Sequence, residues 1–434
     1  MKDLLLKNGE IVSSSGVFKK DVLIRDGKIA SIGGNVSGDV EEIDCSGKII
    51  LPGLIDAHVH FREPGESHKE DWTTGSKAAA SGGVTTVFDM PNNSPAITTV
   101  ERLNEKRKLI NGRTYINYGL FIGFDGDNLE EINKAKNIPG VKFYATDSTG
   151  DMGVNHGVEE LFEHSNKLIV VHAEDEEIIK ENTKKYVGDR TKIDMANHSK
   201  IRSAEAAKKS VQDLCKLVKE TGHKMHVAHL STEAELEIVE KYREYGVTCE
   251  VAPHHLLLSD EDYADKGALV KMNPPVRSRM DLFALWKGIK FGQVDIIATD
   301  HAPHTLGEKK HEYCDCPSGV PEVETTLPIL LNVVNDEGLS LEEVVKLCCE
   351  NPADLFGVKN KGRIEEGFDA DLVVVDMDLE KKVENKNLFT KCGWSPYDGM
   401  SFKGWPIMTF VNGELVFKEG EFVGDKVGKE VNFK

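Results

Sequence analysis

The chain has 434 residues, of which 39% are hydrophobic and 29% charged, and its formal net charge is −19. This acidic balance argues against a nucleic-acid partner, which favours a basic surface. No segment approaches the roughly 20 apolar residues of a membrane span, and the first residues lack the apolar core of a signal peptide. We therefore expect a cytoplasmic protein without a membrane partner, whose eight cysteines are reduced.

Short apolar runs separated by turn residues make up the first 50 residues. Asn8-Gly9 and Asp26-Gly27 follow such runs, and dipeptides of this kind are typical of hairpins. The same pattern returns in residues 362–376 and 408–417. The pattern predicts one small β-sandwich domain built from both termini, with residues 1–51 as its N-terminal part and 357–434 as its C-terminal part.

Strand and helix patterns alternate between these two parts. Helices are predicted from Lys69 to Ser81, from Thr232 to Tyr245, and from Ser340 to a proline break near Asn351-Pro352. The predicted strands are residues 54–60, 84–89, 114–121, 140–144, 167–172, 224–229, 247–251 and 294–299. Eight strand–helix units over residues 52–356 predict an α/β fold, a (β/α)8 TIM-type barrel. In such barrels the active site lies at the C-terminal ends of the strands.

A histidine pair ends the first barrel strand, in the segment Asp56-Ala-His58-Val-His60. Alternation along a strand places His58 and His60 on the same side, so both imidazoles can bind one divalent metal ion. The spacing alone is weak support, because 15 histidines produce it easily by chance. The other strands must supply further ligands.

Other strands carry residues of the same kind. His172 ends the fifth strand, His229 the sixth and Asp300 the eighth, and Lys142 lies in the fourth. Each has an ordinary alternative: a hydrogen-bonded core histidine, a helix-capping aspartate, or a lysine that extends to the barrel mouth. Together with the histidine pair they make six metal-competent side chains near one rim, which predicts a metal site. A buried lysine is costly as an unpaired ammonium, whereas carboxylation by CO2 would make it a bidentate bridge between two ions.

Two further histidine-containing groups are interpreted as structural and not as metal ligands. His226 is predicted to be structural, because alternation places it on the opposite face from His229. His311, Cys314 and Cys316 could form another metal site, but they lie in a Gly/Pro-rich loop without an evident fourth ligand. We favour a loop without metal.

These residues resemble the amidohydrolase superfamily, and within it the cyclic amidases: dihydroorotases, allantoinases and the dihydropyrimidinase/hydantoinase group. The resemblance covers essentially the whole chain, including residues 48–60 and 362–372. It implies two divalent ions, expected to be Zn2+. The implied ligands are His58, His60 and Asp300 for the first ion and His172 and His229 for the second, with carboxylated Lys142 as the bridge.

Within this group the chain looks most like the dihydroorotases. The resemblance rests on the segments His60-Phe-Arg-Glu-Pro-Gly65, Met90-Pro-Asn-Asn-Ser-Pro95, Asn273-Pro-Pro-Val-Arg277, Asp300-His-Ala-Pro-His304 and Gly393-Trp-Ser-Pro-Tyr-Asp-Gly399. It implies substrate-binding roles for Arg62, Asn92, Asn273 and His304, with Arg62 holding the substrate carboxylate.

The resemblance implies the reversible cyclisation of N-carbamoyl-L-aspartate to L-dihydroorotate in de novo pyrimidine biosynthesis. A metal-bound hydroxide is the expected nucleophile, and Asp300 the expected proton shuttle. The alternatives are another cyclic amidase, or a non-catalytic scaffold on the same fold, against which the complete ligand set argues. The partner is then a small-molecule substrate, and the quaternary state is left open, with a homodimer as one option.

The identity of the bridge has one alternative. Many bacterial relatives use an aspartate from the loop after the fourth strand and have no lysine there. This chain has both Lys142 and a candidate aspartate, Asp151. The segment Val141-Lys-Phe-Tyr144 resembles the lysine-bridged branch better, so carboxylated Lys142 is expected.

Overall fold

The computed structural model describes residues 3–34, 36, 38–146, 152–188 and 192–434. Its strands are β1 (Leu4–Lys7), β2 (Glu10–Ser13), β3 (Gly16–Lys19), β4 (Val22–Arg25), β5 (Lys28–Ile32), β6 (Glu41–Asp44), β7 (Ile49–Pro52), β8 (Leu54–Val59), β9 (Val84–Asp89), β10 (Asn117–Leu120), β11 (Ile122–Gly123), β12 (Val141–Tyr144), β13 (Ile169–His172), β14 (Met225–Val227), β15 (Val247–Val251), β16 (Ile296–Ile297), β17 (Leu372–Lys382), β18 (Ser401–Val411), β19 (Glu414–Lys418) and β20 (Glu421–Phe422).

The α-helices surround and connect these strands. They are α1 (Trp72–Ser81), α2 (Val100–Ile110), α3 (Leu129–Lys134), α4 (Val158–His164), α5 (Glu176–Tyr186), α6 (His198–Ile201), α7 (Ala204–Thr221), α8 (Glu233–Tyr242), α9 (Pro253–Leu257), α10 (Tyr263–Lys266), α11 (Arg279–Lys290), α12 (Leu306–Lys309), α13 (Thr326–Asn335), α14 (Leu341–Val345) and α15 (Asn351–Leu355). In the described part of the chain, no helix has the length and hydropathy needed to cross a membrane.

A barrel of parallel strands forms the centre of the molecule. The pairing order is β8–β9–β10 and then β11–β12–β13–β14–β15–β16. β10 and β11 follow each other directly in the chain and together form the third strand of the barrel. The barrel closes where the backbone N–H of His60 donates to the carbonyl of His301 over 2.8 Å. Each of the predicted strand ranges contains an observed strand, and the predicted (β/α)8 barrel is confirmed.

Alternation along the strands separates an outer layer from the barrel interior. On β12, Val141 and Phe143 belong to the large apolar cluster that also contains residues of the surrounding helices. Ile55, Phe88 and Val170 belong to a smaller cluster, which joins other positions of the barrel strands to Phe356 and Val431. Because side chains of a strand alternate, Lys142 and Tyr144 of β12 lie on the side opposite to Val141 and Phe143.

The two ends of the chain form two packed sheets. One sheet has the order β5-β4-β1-β6, and the other has the order β20-β19-β18-β17-β7-β2-β3. N-terminal β7 pairs antiparallel with C-terminal β17, with Ile50 opposite Val374. An apolar cluster with members from both sheets, among them Leu6, Ile24 and Phe410, lies between them. This confirms the predicted sandwich, whereas the domain limits at residues 51, 52, 356 and 357 stay a prediction.

Helix ends differ from the prediction where side chains or tertiary structure intervene. Helix α1 begins after the N-cap Asp71 rather than at Lys69, because the Asp71 carboxylate accepts backbone hydrogen bonds from the first turn. The break predicted near Asn351-Pro352 is wrong. A π-helical turn, Lys346–Glu350, follows α14 and runs directly into α15, whose second residue is Pro352, so the chain stays helical through the proline.

Candidate metal and substrate site

The strand ends bring most of the predicted site residues to one small pocket. The lining residues are His58, His60, Arg62, Asn92, Tyr144, His172, His229, Met272, Asn273, Asp300, Ala302 and Ser318. Lys142 is buried beside the pocket, and its Nζ lies 5.2 Å from the ring centroid of Tyr144. His304 is buried behind Arg62 and does not line the pocket.

His58, His60 and Asp300 form a cluster whose ligand atoms lie within 4.8 Å of one another. The Oδ1 atom of Asp300 lies 2.9 Å from His60 Nε2 and 3.3 Å from His58 Nε2. The opposite ring nitrogens face other acceptors, since His58 Nδ1 lies 2.5 Å from Glu250 Oε1 and His60 Nδ1 lies 2.6 Å from Asn92 Oδ1. These acceptors place the imidazole proton on Nδ1 and leave both Nε2 lone pairs directed at Asp300.

This cluster fits a cation. Burial lowers the pKa of His58, and it lowers the pKa of His60 to about 3, so both rings are neutral at physiological pH. Two imidazole lone pairs and a carboxylate oxygen then converge without a proton between them, which is unfavourable unless a positive charge lies there. Neutral imidazoles with their far nitrogens bound to carboxylate or amide oxygens are typical ligands of divalent metals.

His172 and His229 form a second pair beside the first cluster. His172 Nδ1 lies 2.9 Å from His229 Nε2, and the ring centroids of His58 and His229 are 5.3 Å apart. His172 Nε2 lies 2.9 Å from Glu174 Oε2, and Arg202 donates to the same oxygen. Burial lowers the pKa of both histidines. The Glu174 contact therefore places the His172 proton on Nε2 and leaves Nδ1 as a ligand atom facing His229.

Lys142 is fully buried, and its amine has no hydrogen-bond partner among the described residues. Burial lowers the pKa of Lys142 to about 8, against the opposing attraction of the Glu250 and Asp300 carboxylates. A larger share of the amine is therefore neutral at physiological pH than for a solvent-exposed lysine. A buried polar group without a partner requires an explanation. The alternative bridge, Asp151, lies outside the described residues.

Three site residues have left-handed backbone conformations just beyond strand ends: Arg62 (φ 61°), His229 (φ 36°) and Asp300 (φ 51°). Residues other than glycine rarely adopt such a φ, and the strain it costs is concentrated at functional sites in many proteins. Here these residues follow β8, β14 and β16, and all three line the pocket.

Arg62 is a buried cation at the edge of the pocket. Its Nε donates to the carbonyl of Pro303 over 3.1 Å, and its Nη2 lies 3.1 Å from His304 Nε2. Its Nη1 has no hydrogen-bond partner among the described residues, and the nearest Glu66 oxygen is 3.9 Å away, too far for a hydrogen bond. His304 Nε2 also lies 3.1 Å from the carbonyl of Ser318.

Glu250 connects both clusters and was not predicted from the sequence. Its Oε1 accepts from His58 Nδ1 and from the backbone N–H of His229, and its Oε2 lies 3.1 Å from His226 Nε2. Burial would raise the pKa of Glu250, but His58 and His226 outweigh it and hold the pKa below its usual range. A glutamate within the apolar segment Val247–Val251 is the sequence signal, equivalent to that of Lys142.

The reason given for a structural His226 is wrong, although its contacts are structural. Strand β14 ends at Val227, so alternation does not extend to His229, and His226 reaches the same carboxylate as His58. In the described residues, His58, His60 and Asp300 are the one group of three histidine, cysteine or acidic side chains whose ligand atoms converge within 4.8 Å, and this group does not include the cysteine loop. Cys314 is exposed, whereas Cys316 is buried.

Comparison with known proteins confirms the resemblance suggested by these residues. Residues 49–416 match the sequence model described as the Amidohydrolase family. A curated dihydroorotase of Halobacterium salinarum is 39% identical over 391 residues, which cover 88% of this chain and 89% of that protein. A dihydroorotase of Methanothermobacter thermautotrophicus is 38% identical over 389 residues, covering 88% of this chain and 87% of that protein.

Solved structures with a similar fold are named as hydantoinases or dihydropyrimidinases, whereas the curated relatives above are named as dihydroorotases. L-hydantoinase (dihydropyrimidinase) from Arthrobacter aurescens has a TM-score of 0.95 and 32% identity, with 100% of both chains covered. Dihydropyrimidinase from Brevibacillus agri has a TM-score of 0.94 and 25% identity, covering 100% of this chain and 99% of that one. The barrel is therefore shared by these proteins, and the substrate must be inferred from the residues that line the pocket.

Proposed function

The chain belongs to the amidohydrolase family, and we propose that it is a dihydroorotase, which interconverts N-carbamoyl-L-aspartate and L-dihydroorotate in de novo pyrimidine biosynthesis. The observation that carries this proposal is Arg62, a buried guanidinium at the pocket whose Nη1 has no partner among the described residues. Burying an unpaired charge is costly, so an anionic group of the substrate is the natural partner. Dihydroorotate has a carboxylate, whereas hydantoin and allantoin have none.

The metal ligands in this proposal follow from the two clusters. His58, His60 and Asp300 would hold one divalent ion, His172 and His229 would hold a second, and a carboxylated Lys142 would be the ligand shared between them. Zn2+ is the expected metal, because neutral imidazoles and carboxylates suit it. When bound, the ions lower the pKa of a water molecule to about 7 and polarise the ring carbonyl.

Asp300 moves the proton. In ring opening its carboxylate accepts a proton from the attacking water and delivers it to the leaving ring nitrogen. In ring closure the same oxygen takes a proton from the ureido nitrogen and returns it to the expelled oxygen. The position of Asp300 supports this role, because it is buried, lines the pocket and contacts both histidines of the first cluster.

Four residues bind the substrate in this proposal. Arg62, Asn92 and His304 hold the carboxylate, with the guanidinium providing the charge-assisted hydrogen bonds. Asn273 lines the pocket and binds the substrate elsewhere. His304 contributes through its contact with Arg62.

The cytoplasmic location, the homodimeric state and the absence of a nucleic-acid partner remain predictions.

A comparison of substrates tests the proposed function. The zinc-reconstituted protein is assayed in parallel with dihydroorotate, allantoin and hydantoin, and metal content is measured in the same samples. We expect kcat/KM to be highest for dihydroorotate. Dominant turnover of allantoin or hydantoin would assign the chain to another group of cyclic amidases.

Arg62→Met should lower kcat/KM for dihydroorotate while the metal content stays unchanged. Removing one partner of a buried charge pair costs about 2–5 kcal/mol, which corresponds to roughly 30-fold to several thousand-fold. The ratio of kcat/KM for dihydroorotate to kcat/KM for a cyclic substrate without a carboxylate should fall as well. A loss below about threefold with unchanged preference would instead identify Arg62 as a rim residue that interacts with Glu66.

Glu250→Gln should weaken metal binding at the His58 cluster by about 10- to 100-fold, the usual effect of losing a carboxylate that orients a histidine ligand. Chelator competition on the purified variant measures this affinity without a substrate. Glu235→Gln is the matched control, since Glu235 is equally buried but contacts Ser231 and Thr232. Equal metal affinities in the two variants would remove Glu250 from this role.

A further inference from the structure

His198, the first residue of α6, lies beneath the pocket residue Asn273. It is buried, and its ring makes hydrogen bonds at both nitrogens. His198 Nε2 lies 2.8 Å from the backbone carbonyl of Met272 and 3.0 Å from Asn273 Oδ1. His198 Nδ1 lies 2.8 Å from the hydroxyl of Tyr313.

These contacts define which nitrogen of His198 carries the proton. A backbone carbonyl can only accept a hydrogen bond, so Nε2 donates to Met272. Burial holds the pKa of His198 well below its usual range, and the cations of Lys271 and Arg202 lower it further, so the ring is neutral. A neutral ring that donates from Nε2 must accept at Nδ1. The Tyr313 hydroxyl is therefore the donor to Nδ1.

The proton on His198 in turn orients the amide of Asn273. The Nε2–H of His198 is shared between two acceptors, the Met272 carbonyl and Asn273 Oδ1, at 2.8 and 3.0 Å. The amide nitrogen of Asn273, with its two donors, lies on the other side of the amide group. Because Asn273 lines the pocket, this orientation decides whether the side chain presents donors or an acceptor to a bound molecule.

Tyr313 is itself held in place by a buried lysine. Lys271 Nζ donates to the carbonyl of Tyr313 over 2.8 Å and lies 4.4 Å from the centroid of its ring. Lys309 donates to the carbonyls of Lys271 and Gly319 over 3.1 and 3.0 Å. These bonds fix the segment that contains Tyr313 to the segment that contains Asn273, so the hydroxyl is a fixed part of the site.

We infer that His198 and Tyr313 are positioning residues, which hold the amide nitrogen of Asn273 toward the substrate so that position 273 recognises a hydrogen-bond acceptor. The acceptor is a carbonyl or carboxylate oxygen of the substrate, and its identity as dihydroorotate rests on the proposed function. Tyr313 donates to His198, His198 donates to Asn273, and Asn273 donates to the substrate. Each step is a hydrogen bond, and no proton is transferred.

The first test reads the tautomer without any substrate. Protein with 15N-labelled histidine is examined by NMR between pH 6 and 8, and His198→Gln identifies the resonance. A neutral ring with its proton on Nε2 throughout is expected. A proton on Nδ1, or a charged ring, would overturn the inference. In Tyr313→Phe the Nδ1 resonance should shift because its donor is lost, whereas Tyr118→Phe, another buried tyrosine, should leave it unchanged.

The second test separates positioning from packing. His198→Gln keeps an N–H donor near Asn273, and His198→Leu removes it. We expect KM to rise about tenfold in the leucine variant and less than threefold in the glutamine variant, with kcat and metal content nearly unchanged in both. Equal KM values in the two variants would overturn the inference.

Tyr313→Phe provides the test if the leucine variant does not fold. Its KM should rise about two- to fivefold, and the KM of Tyr118→Phe should equal that of the wild type. An unchanged KM in Tyr313→Phe would contradict the role of the tyrosine. If the wild type turns over allantoin or hydantoin and not dihydroorotate, the proposed function fails, and the same KM comparison is made with the ring that is turned over.

Discussion

Lys142→Ala is expected to lower kcat by at least about 10³-fold, because the ions supply several kcal/mol of transition-state stabilisation and each 1.36 kcal/mol is tenfold. The buried amine has no partner among the described residues, and its pKa is lowered to about 8. The neutral amine is the form that combines with CO2, and the resulting carbamate is an anion. In the proposed site this carbamate would be the ligand shared by the two histidine clusters, and the alanine variant would lack it. Metal content per chain should fall together with kcat.

Rescue by small acids distinguishes a missing bridge from a damaged fold. Acetate or propionate should partly restore activity and metal content in Lys142→Ala, because a carboxylate can replace the carbamate. Lys309→Ala is the matched control: Lys309 is also buried, and burial lowers its pKa to about 7, but its ammonium donates to backbone carbonyls. Rescue of both variants would show a nonspecific effect. A crystal structure with a plain amine at Lys142 and Asp151 spanning two ions would move the bridge to the aspartate.

The barrel could be predicted because its strands have a strong local signal. Each strand is a short apolar run, and its ends coincide with a change to a polar or helical pattern, as at Val84–Asp89 and Val141–Tyr144. Helix ends depend more on tertiary structure. The chain continues in helical form through Pro352 because a π turn precedes it, and the local sequence does not specify that turn.

The part of the site that could be predicted from the sequence consists of the residues at the ends of strands. His58, His60, His172, His229 and Asp300 were found in this way, and the structure brings all five to one pocket. The contacts that orient them join residues far apart in the chain, such as His58 with Glu250 and His198 with Tyr313. Pairs of this kind depend on which strands and loops become neighbours. No local periodicity encodes them.

Asp300→Asn should lower kcat by about 10²- to 10⁴-fold, the usual contribution of a general acid–base group. The amide keeps the size of the side chain and one oxygen that can face His58 and His60, but it cannot accept a proton. Metal content should therefore stay close to that of the wild type.

Asp56→Asn is the matched control for this variant. Asp56 is a neighbouring buried carboxylate that accepts hydrogen bonds from Thr299 and lies outside the residues that line the pocket. Burial raises the pKa of Asp56 to about 7, so a part of the wild-type protein already has a protonated, uncharged Asp56 at neutral pH. The uncharged amide of Asp56→Asn resembles that form. Its kcat should fall by less than about tenfold. If Asp300→Asn kept a kcat near that of the wild type with both ions bound, Asp300 would be a ligand only, and the proton would have to move through another group of the pocket.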